Sequence, residues 1–280
     1  MKLGLIGYPI GHSLSPWIHR RLMAHADING SYNLYEIHPD TFSDQLAELK
    51  QEGLTGFNVT VPYKEKIIPF LDGMDSEAAA IGAVNTVRNE NGQWIGSNTD
   101  GTGFVQSLQI AYPDIFQSDC SVLLIGAGGA AKGIYFALAN GGITEIDIAN
   151  RSRDKAEGIV DIGPSHVRSR ILSLTEAEEH INSYQLVVHT TVVGMNPHHE
   201  NQIFAPTRLA SNTVVSDIVY RPLETRFLQE AKQKGARIHY GHEMLLHQAI
   251  YSFYTWTGHK LDGRTLSQEL EQYLKGETSC

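Results

Sequence analysis

A chain of 280 residues is long enough for two domains of ordinary size, and 41% hydrophobic with 19% charged residues is a globular composition. The net charge of −9 argues against broad attraction to nucleic acid or to an anionic membrane surface, though a local cationic pocket is compatible with it. Two cysteines, Cys120 and the final Cys280, make no disulfide framework and suit a reducing cytoplasm. No apolar run approaches the roughly 18 residues needed to span a bilayer, so neither nucleic acid nor membrane is expected as a partner.

In chain order, residues 3–7 read as a strand that starts at once, not as a signal peptide. Ser15-Pro16 reads as the N-cap and first helical position of a helix that runs through Arg21 and Met23. Residues 31–37 form a second strand candidate, and 41–52 a helix with Phe42, Leu46 and Leu49 at helical spacing. Residues 56–61 read as a third strand whose alternation puts Phe57, Val59 and Val61 on one face and Asn58 and Thr60 on the other. Residues 83–87 and 93–96 are hairpin arms around the tight-turn pair Asn91-Gly92. They lead through Asn98-Thr99-Asp100-Gly101 to a helix over 103–111. Strands follow at 122–125, 145–149, 186–189 and 214–218, then an apolar helical run over 243–256. This strand–helix alternation predicts an α/β protein of two domains. The expected division is 1–101 plus 239–280 for a discontinuous substrate and catalytic domain, and 102–238 for a cofactor domain.

The cofactor side is written in Val122-Leu123-Leu124-Ile125-Gly126-Ala127-Gly128-Gly129-Ala130-Ala131. A buried-strand run enters a glycine turn and a helical pattern follows, the layout of a dinucleotide-binding turn in a Rossmann-type doubly wound domain. Gly126 permits the tight turn, Gly128 leaves room for a pyrophosphate, and Ala131 is small where helix and strand pack. Backbone N–H groups at the helix start would hold the phosphates. An NAD site usually ends its second strand in Asp or Glu. Here the strand is followed by Asn150-Arg151-Ser152-Arg153, with Lys155 close by. A guanidinium grips a 2′-phosphate with a bidentate fork, where a carboxylate would repel it. The expected cofactor is therefore NADP(H), the alternative being that Arg151 and Lys155 are solvated charges at a helix start.

On the substrate side, polar islands sit in apolar or glycine-rich surroundings: Ser13-Leu14-Ser15-Pro16, Asn58 to Lys64, Gly82 to Thr86, and Asn98 to Gly101. Ser15 has the alternative of a plain helix cap, Asn85 and Asn98 of hairpin residues, and Asn58 and Thr60 of a solvated sheet face. Lys64 is the sharpest candidate. It follows a strand that aims two polar groups one way, and an ammonium can protonate a carbonyl oxygen as hydride reaches the carbon. The 13 histidines contain no convincing metal-type cluster, and no metal is expected.

These islands resemble, in order, the motifs of the shikimate dehydrogenase family. Gly7-Tyr8-Pro9-Ile10-Gly11-His12-Ser13-Leu14-Ser15-Pro16 is similar to its N-terminal substrate motif. The next three islands are similar to those that follow, and Gly126 to Ala131 with Asn150-Arg151-Ser152 to its cofactor motifs. Asp217-Ile218-Val219-Tyr220 and Gly241-His242-Glu243-Met244-Leu245-Leu246-His247-Gln248 resemble its C-terminal motifs. The resemblance implies NADPH-linked reduction of 3-dehydroshikimate to shikimate in aromatic amino-acid biosynthesis. It implies that Lys64 transfers the proton with Asp100 as partner, and that Ser13, Ser15 and Tyr220 hold the substrate carboxylate. Asn58, Thr60, Asn85, Asp100 and Gln248 would hold the ring hydroxyls. Met195 and Gly241 would lie beside the nicotinamide, with Met244 near. Gly126, Ala127, Gly128, Gly129, Ala130, Asn150, Arg151, Ser152, Lys155, Thr190 and Ile218 would complete the cofactor site. A carboxylate next to a lysine stabilises the ammonium, so Asp100 is expected to orient Lys64 as a loaded proton donor rather than to strip it.

Four positions depart from the family's usual pattern: His189 where Asn is frequent, Val192 where Pro is frequent, Ser152 where Thr is usual, and Arg221 where Asn is common. Competing expectations are a quinate/shikimate dehydrogenase tolerant of NAD, a folate-linked or amino-acid-dehydrogenase-like enzyme, and a non-catalytic dinucleotide sensor. The expected state is a cytoplasmic monomer or homodimer, and a site between two domains would make hinge motion plausible.

Overall fold

The computed structural model describes residues 1–117 and 119–277; Cys280 lies outside the described residues. The chain divides into two compact units, Met1–Thr99 with Gln248–Gly263, and Asp100–His247 with Arg264–Cys280.

The first unit contains β1 (Lys2–Gly7), α1 (Ser15–His25), β2 (Ser31–Glu36), α2 (Phe42–Gln51), β3 (Gly56–Val59), β4 (Gly73–Met74), α3 (Ser76–Ile81), β5 (Thr86–Glu90) and β6 (Gln93–Ser97). Its six-stranded sheet has the order β2-β1-β3-β5-β6-β4. β1 is parallel to both neighbours, and β5 is antiparallel to β3 and β6. Leu3, Leu5 and Ile6 fill β1 with apolar side chains because it is covered on both faces. Phe42, Leu46 and Leu49 recur at helical spacing on α2 and join Phe57, Val59, Tyr63 and Trp94 in one core. Each such large side chain contributes roughly 1.5–3 kcal/mol by leaving water. The β5–β6 turn is the expected one: Asn91 and Gly92 both have positive φ, +54° and +91°, which matches the twist of a hairpin.

Two local expectations are corrected. Ser15 is the first residue of α1 and not its N-cap; Leu14 takes that position and its side chain makes no capping bond. Pro16 thus falls one residue deeper, where its missing N–H is still no loss. The third strand stops at Val59, and Val61 is 61% exposed rather than on the core face. The chain turns there, Tyr63 N–H donating to Thr60 O at 2.9 Å.

The second unit contains α4 (Asp100–Ala111), β7 (Ser121–Ile125), α5 (Gly129–Asn140), β8 (Glu145–Ala149), α6 (Arg153–Val160), β9 (Ile171–Leu172), α7 (Leu174–His180), β10 (Leu186–His189), β11 (Val214–Asp217), α8 (Arg226–Gln233) and β12 (Arg237–His239). Its six strands run in the order β12-β11-β10-β7-β8-β9, all parallel. This is the doubly wound order, with its switch point between β7 and β10, where such sheets bind ligands at the strand C-termini. Continuous runs such as Val122-Leu123-Leu124-Ile125, all 0% exposed, are what a sheet covered on both faces requires.

α9 (Gly241–Thr257) contributes its residues up to His247 to the second unit and those from Gln248 to the first. α10 (Arg264–Glu277) clusters with the second unit. This division differs from the expected assignment of 239–280 to the first unit, since residues up to His247 and α10 group with the second. Leu266, Leu270 and Leu274 are buried at four-residue spacing, a helical stripe that the sequence carries and that was overlooked beside the stronger run before it. Among the described residues no helix is long and apolar enough to cross a membrane.

Candidate functional site

In the first unit, β3, the β5–β6 hairpin and α9 bring Asn58, Asn85 and Gln248 into one buried polar network. Asn58 Nδ2 reaches Asn85 O at 3.1 Å, Thr86 Oγ1 at 3.1 Å and Ser252 Oγ at 3.0 Å, and Asn58 Oδ1 accepts from Tyr32 Oη at 2.7 Å. Asn85 Oδ1 accepts from Thr99 N at 2.8 Å and from Thr86 Oγ1 at 2.9 Å. Asn85 Nδ2 reaches Thr99 Oγ1 at 3.0 Å and Gln248 Oε1 at 3.5 Å. Ser252 Oγ lies 2.7 Å from Thr86 Oγ1 and donates to Gln248 O at 3.0 Å. Burial holds the Tyr32 hydroxyl above the ordinary phenol range, so it stays a donor.

Much of the amide capacity at Asn58 and Asn85 is thus spent on internal bonds. Buried polar groups must be paired, and these bonds hold the Asn58 and Asn85 amides in fixed orientations. Tyr32, Thr86, Thr99 and Ser252 take part in this network; Thr86 and Thr99 lie inside the polar islands without an assigned role, and Tyr32 and Ser252 were not singled out from sequence. Ser252 had one signal, its position four residues after Gln248 on the same helical face.

Ser13 and Ser15 also come together: Ser13 Oγ lies 3.2 Å from Ser15 Oγ and accepts from Ser15 N at 3.2 Å. They stand at the start of α1, which has no acidic residue in its first turn, a favourable place for a carboxylate. Lys64 is half-buried. Its main chain is pinned by Val84 N–H to Lys64 O at 2.8 Å, and the preceding Tyr63 is fully buried and stacked on Phe42. Thr60 is half-buried, its methyl against Gly7.

In the second unit, Gly126 at the end of β7 has φ +116°. A Cβ there would meet Thr190 Oγ1 at 2.5 Å, so both turn and close approach demand glycine. Thr190 Oγ1 donates to Ile125 O at 2.8 Å, which ties the loop after β10 to this turn. Gly128 caps α5 without a side-chain hydrogen bond, and a Cβ there would meet nothing within 4 Å. The N–H groups of Gly129, Ala130 and Ala131 begin the helix and have no intrahelical acceptor, and Ala127 is half-buried just before. Together they leave open space lined by donors, the requirement for a pyrophosphate.

After β8, Asn150 Nδ2 donates to Ser152 O at 2.7 Å and shapes the entry to α6. Arg153 is taken by Glu157 at 2.9 Å. Arg151 and Lys155 are exposed and make no ion pair among the described residues. These residues fit a 2′-phosphorylated dinucleotide: a free guanidinium, an ammonium and a hydroxyl follow the second strand, with no carboxylate at its end. Gly241 packs against the main chain of Ile218 and Val219, 2.5 Å from Val219 O to an added Cβ. Met244 is buried, Tyr220 and Ile218 are half-buried, and Met195 is 43% exposed. Asp100, 5% exposed, begins α4. Among the described residues no group of His, Cys, Asp or Glu is arranged to hold a metal ion.

Comparison with known proteins adds three matches along the chain. Residues 5–87 match the shikimate dehydrogenase substrate binding domain, 112–219 match shikimate / quinate 5-dehydrogenase, and 241–262 match the shikimate 5'-dehydrogenase C-terminal domain. The shikimate dehydrogenase (NADP(+)) of Oceanobacillus iheyensis is 48% identical over 278 residues, 99% of each chain. The crystal structure of shikimate dehydrogenase from Aquifex aeolicus superimposes with a TM-score of 0.87 at 36% identity, covering 96% of this chain and 97% of that one. The Thermus thermophilus shikimate 5-dehydrogenase, solved with NADP(H) and shikimate, gives a TM-score of 0.86 at 31% identity over 97% of this chain and 99% of that one. A glycine turn free for a pyrophosphate, a cationic end to the second strand and whole-length similarity of this kind agree: the chain belongs to the shikimate dehydrogenase family.

Proposed function

We propose that the protein catalyses the reversible NADPH-dependent reduction of 3-dehydroshikimate to shikimate in the shikimate pathway. The observation that carries this reading is the free Arg151 and Lys155 beyond β8, beside an open glycine turn, in a chain 48% identical to an NADP(+) shikimate dehydrogenase. Bound NADPH supplies the hydride that the ketone carbon accepts. Arg151, Ser152 and Lys155 hold the 2′-phosphate, and the start of α5 from Gly126 to Ala130 holds the pyrophosphate. Asn150, Thr190, Ile218, Met195, Gly241 and Met244 complete the cofactor contacts.

Lys64, whose main chain is fixed by Tyr63 and Val84, donates a proton to the ketone oxygen as the carbon is reduced. Asp100 orients the ammonium and accepts from a ring hydroxyl. Ser13, Ser15 and Tyr220 hold the carboxylate. Thr60, Gln248 and the remaining capacity of Asn58 and Asn85 read the other hydroxyls, each able to donate or accept. A site built on such pairing rejects analogues that lack a hydroxyl, because its own groups are then left unpaired.

The protein works as a monomer or homodimer in a reducing cytoplasm. Cys120 is free and buried, and burial pushes its thiol up to about 11, which suits a structural thiol rather than a reactive one. Reduction of NADP+ on addition of shikimate tests the proposal, with quinate and NAD+ as controls. Turnover of quinate with NAD+ in preference to shikimate with NADP+ overturns it.

A further inference from the structure

His189 ends β10 and is 1% exposed. Its partner across the parallel ladder is Asp217, the last residue of β11 and 0% exposed. Asp217 is a hub. Oδ1 accepts from Val219 N at 2.9 Å, and Oδ2 accepts from Thr225 Oγ1 at 2.7 Å. His189 Nδ1 lies 3.1 Å from Oδ2, off the line of a well-directed hydrogen bond. A carboxylate only accepts, so the proton on this side belongs to Nδ1. The ring's other nitrogen, Nε2, shares a hydrogen bond with Thr191 Oγ1. That oxygen in turn accepts from Val193 N at 3.2 Å.

An unbroken chain of polar contacts therefore runs from Asp217 through the imidazole to the main chain of the loop after β10. The loop has further main-chain ties in Met195 N–H to Val192 O at 3.2 Å and, just beyond it, Asn196 N–H to Arg221 O at 3.0 Å. Thr190 is fixed to β7, but Val192 is 65% and Met195 43% exposed, and Gly194 has φ +85°.

We infer that His189 is a positioning residue for the cofactor: it sets the loop from Thr191 to Met195 by linking Thr191 to Asp217. The inference rests on the reading that this loop borders the nicotinamide. An imidazole spans both partners at once. The asparagine frequent at this position in the family is shorter, and its amide ends about where Nδ1 stands, so it faces Asp217 without reaching Thr191. Glutamine reaches Thr191 and gives up the contact with Asp217.

The test is a cycle of His189→Asn, Thr191→Ala and the double variant, with His189→Gln as the conservative rescue. Calorimetric Kd for NADP+, KM for shikimate and melting temperature are measured on the full chain. Loss of one neutral hydrogen bond weakens NADP+ binding about fivefold. The expected result is that weakening in His189→Asn and in Thr191→Ala, no further loss in the double variant, recovery in His189→Gln, and an unchanged KM for shikimate. Additive losses overturn the inference, because the two residues then act separately. An unchanged Kd in His189→Asn overturns it as well, as does a weaker Kd that tracks a lower melting temperature across all four variants. Calorimetry needs no turnover, so a wild-type chain that bound NADP+ but failed to oxidise shikimate would sink the proposed function and leave this result readable.

Discussion

Gly101 is the second residue of α4, directly after Asp100, and it allows α4 to lie against α5. A Cβ at Gly101 would stand 2.0 Å from Gly133 O and 2.6 Å from Gly133 C. Both atoms are main chain and cannot swing aside, and ordinary contact begins only at 3.4 Å. Gly101→Ala therefore forces α4 away from α5. Overpacking costs about 1–3 kcal/mol, and a main-chain obstacle belongs at the upper end. Better helix propensity returns less than about 1 kcal/mol so near the helix start. A net loss of about 2 kcal/mol lowers the melting temperature by about 4–8 °C in a unit of this size. Asp100 moves with the helix, and in the role proposed for it a displacement of about 1 Å costs about 100-fold in rate.

Gly128→Ala is the contrast. Its Cβ would meet nothing within 4 Å, so the fold loses no more than about 1 kcal/mol from a poorer N-cap, while the added methyl fills the space kept for the pyrophosphate. The assay is calorimetric melting of both variants beside steady-state kinetics and NADP+ titration. Gly101→Ala is expected to melt early and turn over slowly; Gly128→Ala is expected to melt near the wild type and bind NADP+ at least tenfold more weakly. A Gly101→Ala protein that melts within 1 °C of the wild type (a span well below the roughly 4 °C expected) would refute the steric argument. Equal melting losses in the two variants would refute the division between packing glycine and ligand glycine.

Lys64→Ala should lower kcat by about 100- to 10,000-fold with little change in KM; a rise in KM alone would make Lys64 a binding residue. Arg151→Ala removes an exposed guanidinium, so stability should hold while kcat/KM with NADP+ falls about 10- to 100-fold, the size of a charge-assisted hydrogen bond, and activity with NAD+ stays level. Equal losses with both cofactors would count against a 2′-phosphate contact. Burial lowers the His19 imidazole from 6.5 to about 3, so the unfolded chain binds this proton first. The associated stability is complete above pH 6.5 and is lost as pH falls from there toward about 3. His19→Phe keeps a ring against Tyr32, where the two now stack at 4.3 Å, and should make the stability loss between pH 7 and pH 5 smaller by about 2 kcal/mol. Parallel acid limbs in the two proteins would remove His19 from the acid response.

The order of elements, the doubly wound character of the second unit and its cofactor were legible from local pattern. Val122 to Ala131 announces strand, turn and helix by composition alone, because a buried parallel strand must be apolar and a tight turn toward a phosphate must be glycine. Arg151 and Lys155 stand out in the sequence as cations after the second strand, and the fold leaves both exposed there. The Ser15 cap and the inward Val61 were misread because a helix start and a strand end move by one or two residues according to what packs beside them.

Long-range pairing lies beyond such patterns. Asn58 and Asn85 announce polarity, but only the fold joins them to Tyr32, Thr86, Thr99 and Ser252, some 194 residues away from Asn58 at the furthest. The same holds for His189, a lone departure in the sequence that becomes a link only when β10 and β11 lie side by side. The sequence by itself determined which chemistry the chain carries, since residue type and local spacing fix what each group can donate, accept or bind. Tertiary structure alone decided which of those groups are spent on one another, because a buried hydrogen bond depends on partners that distance along the chain does not predict.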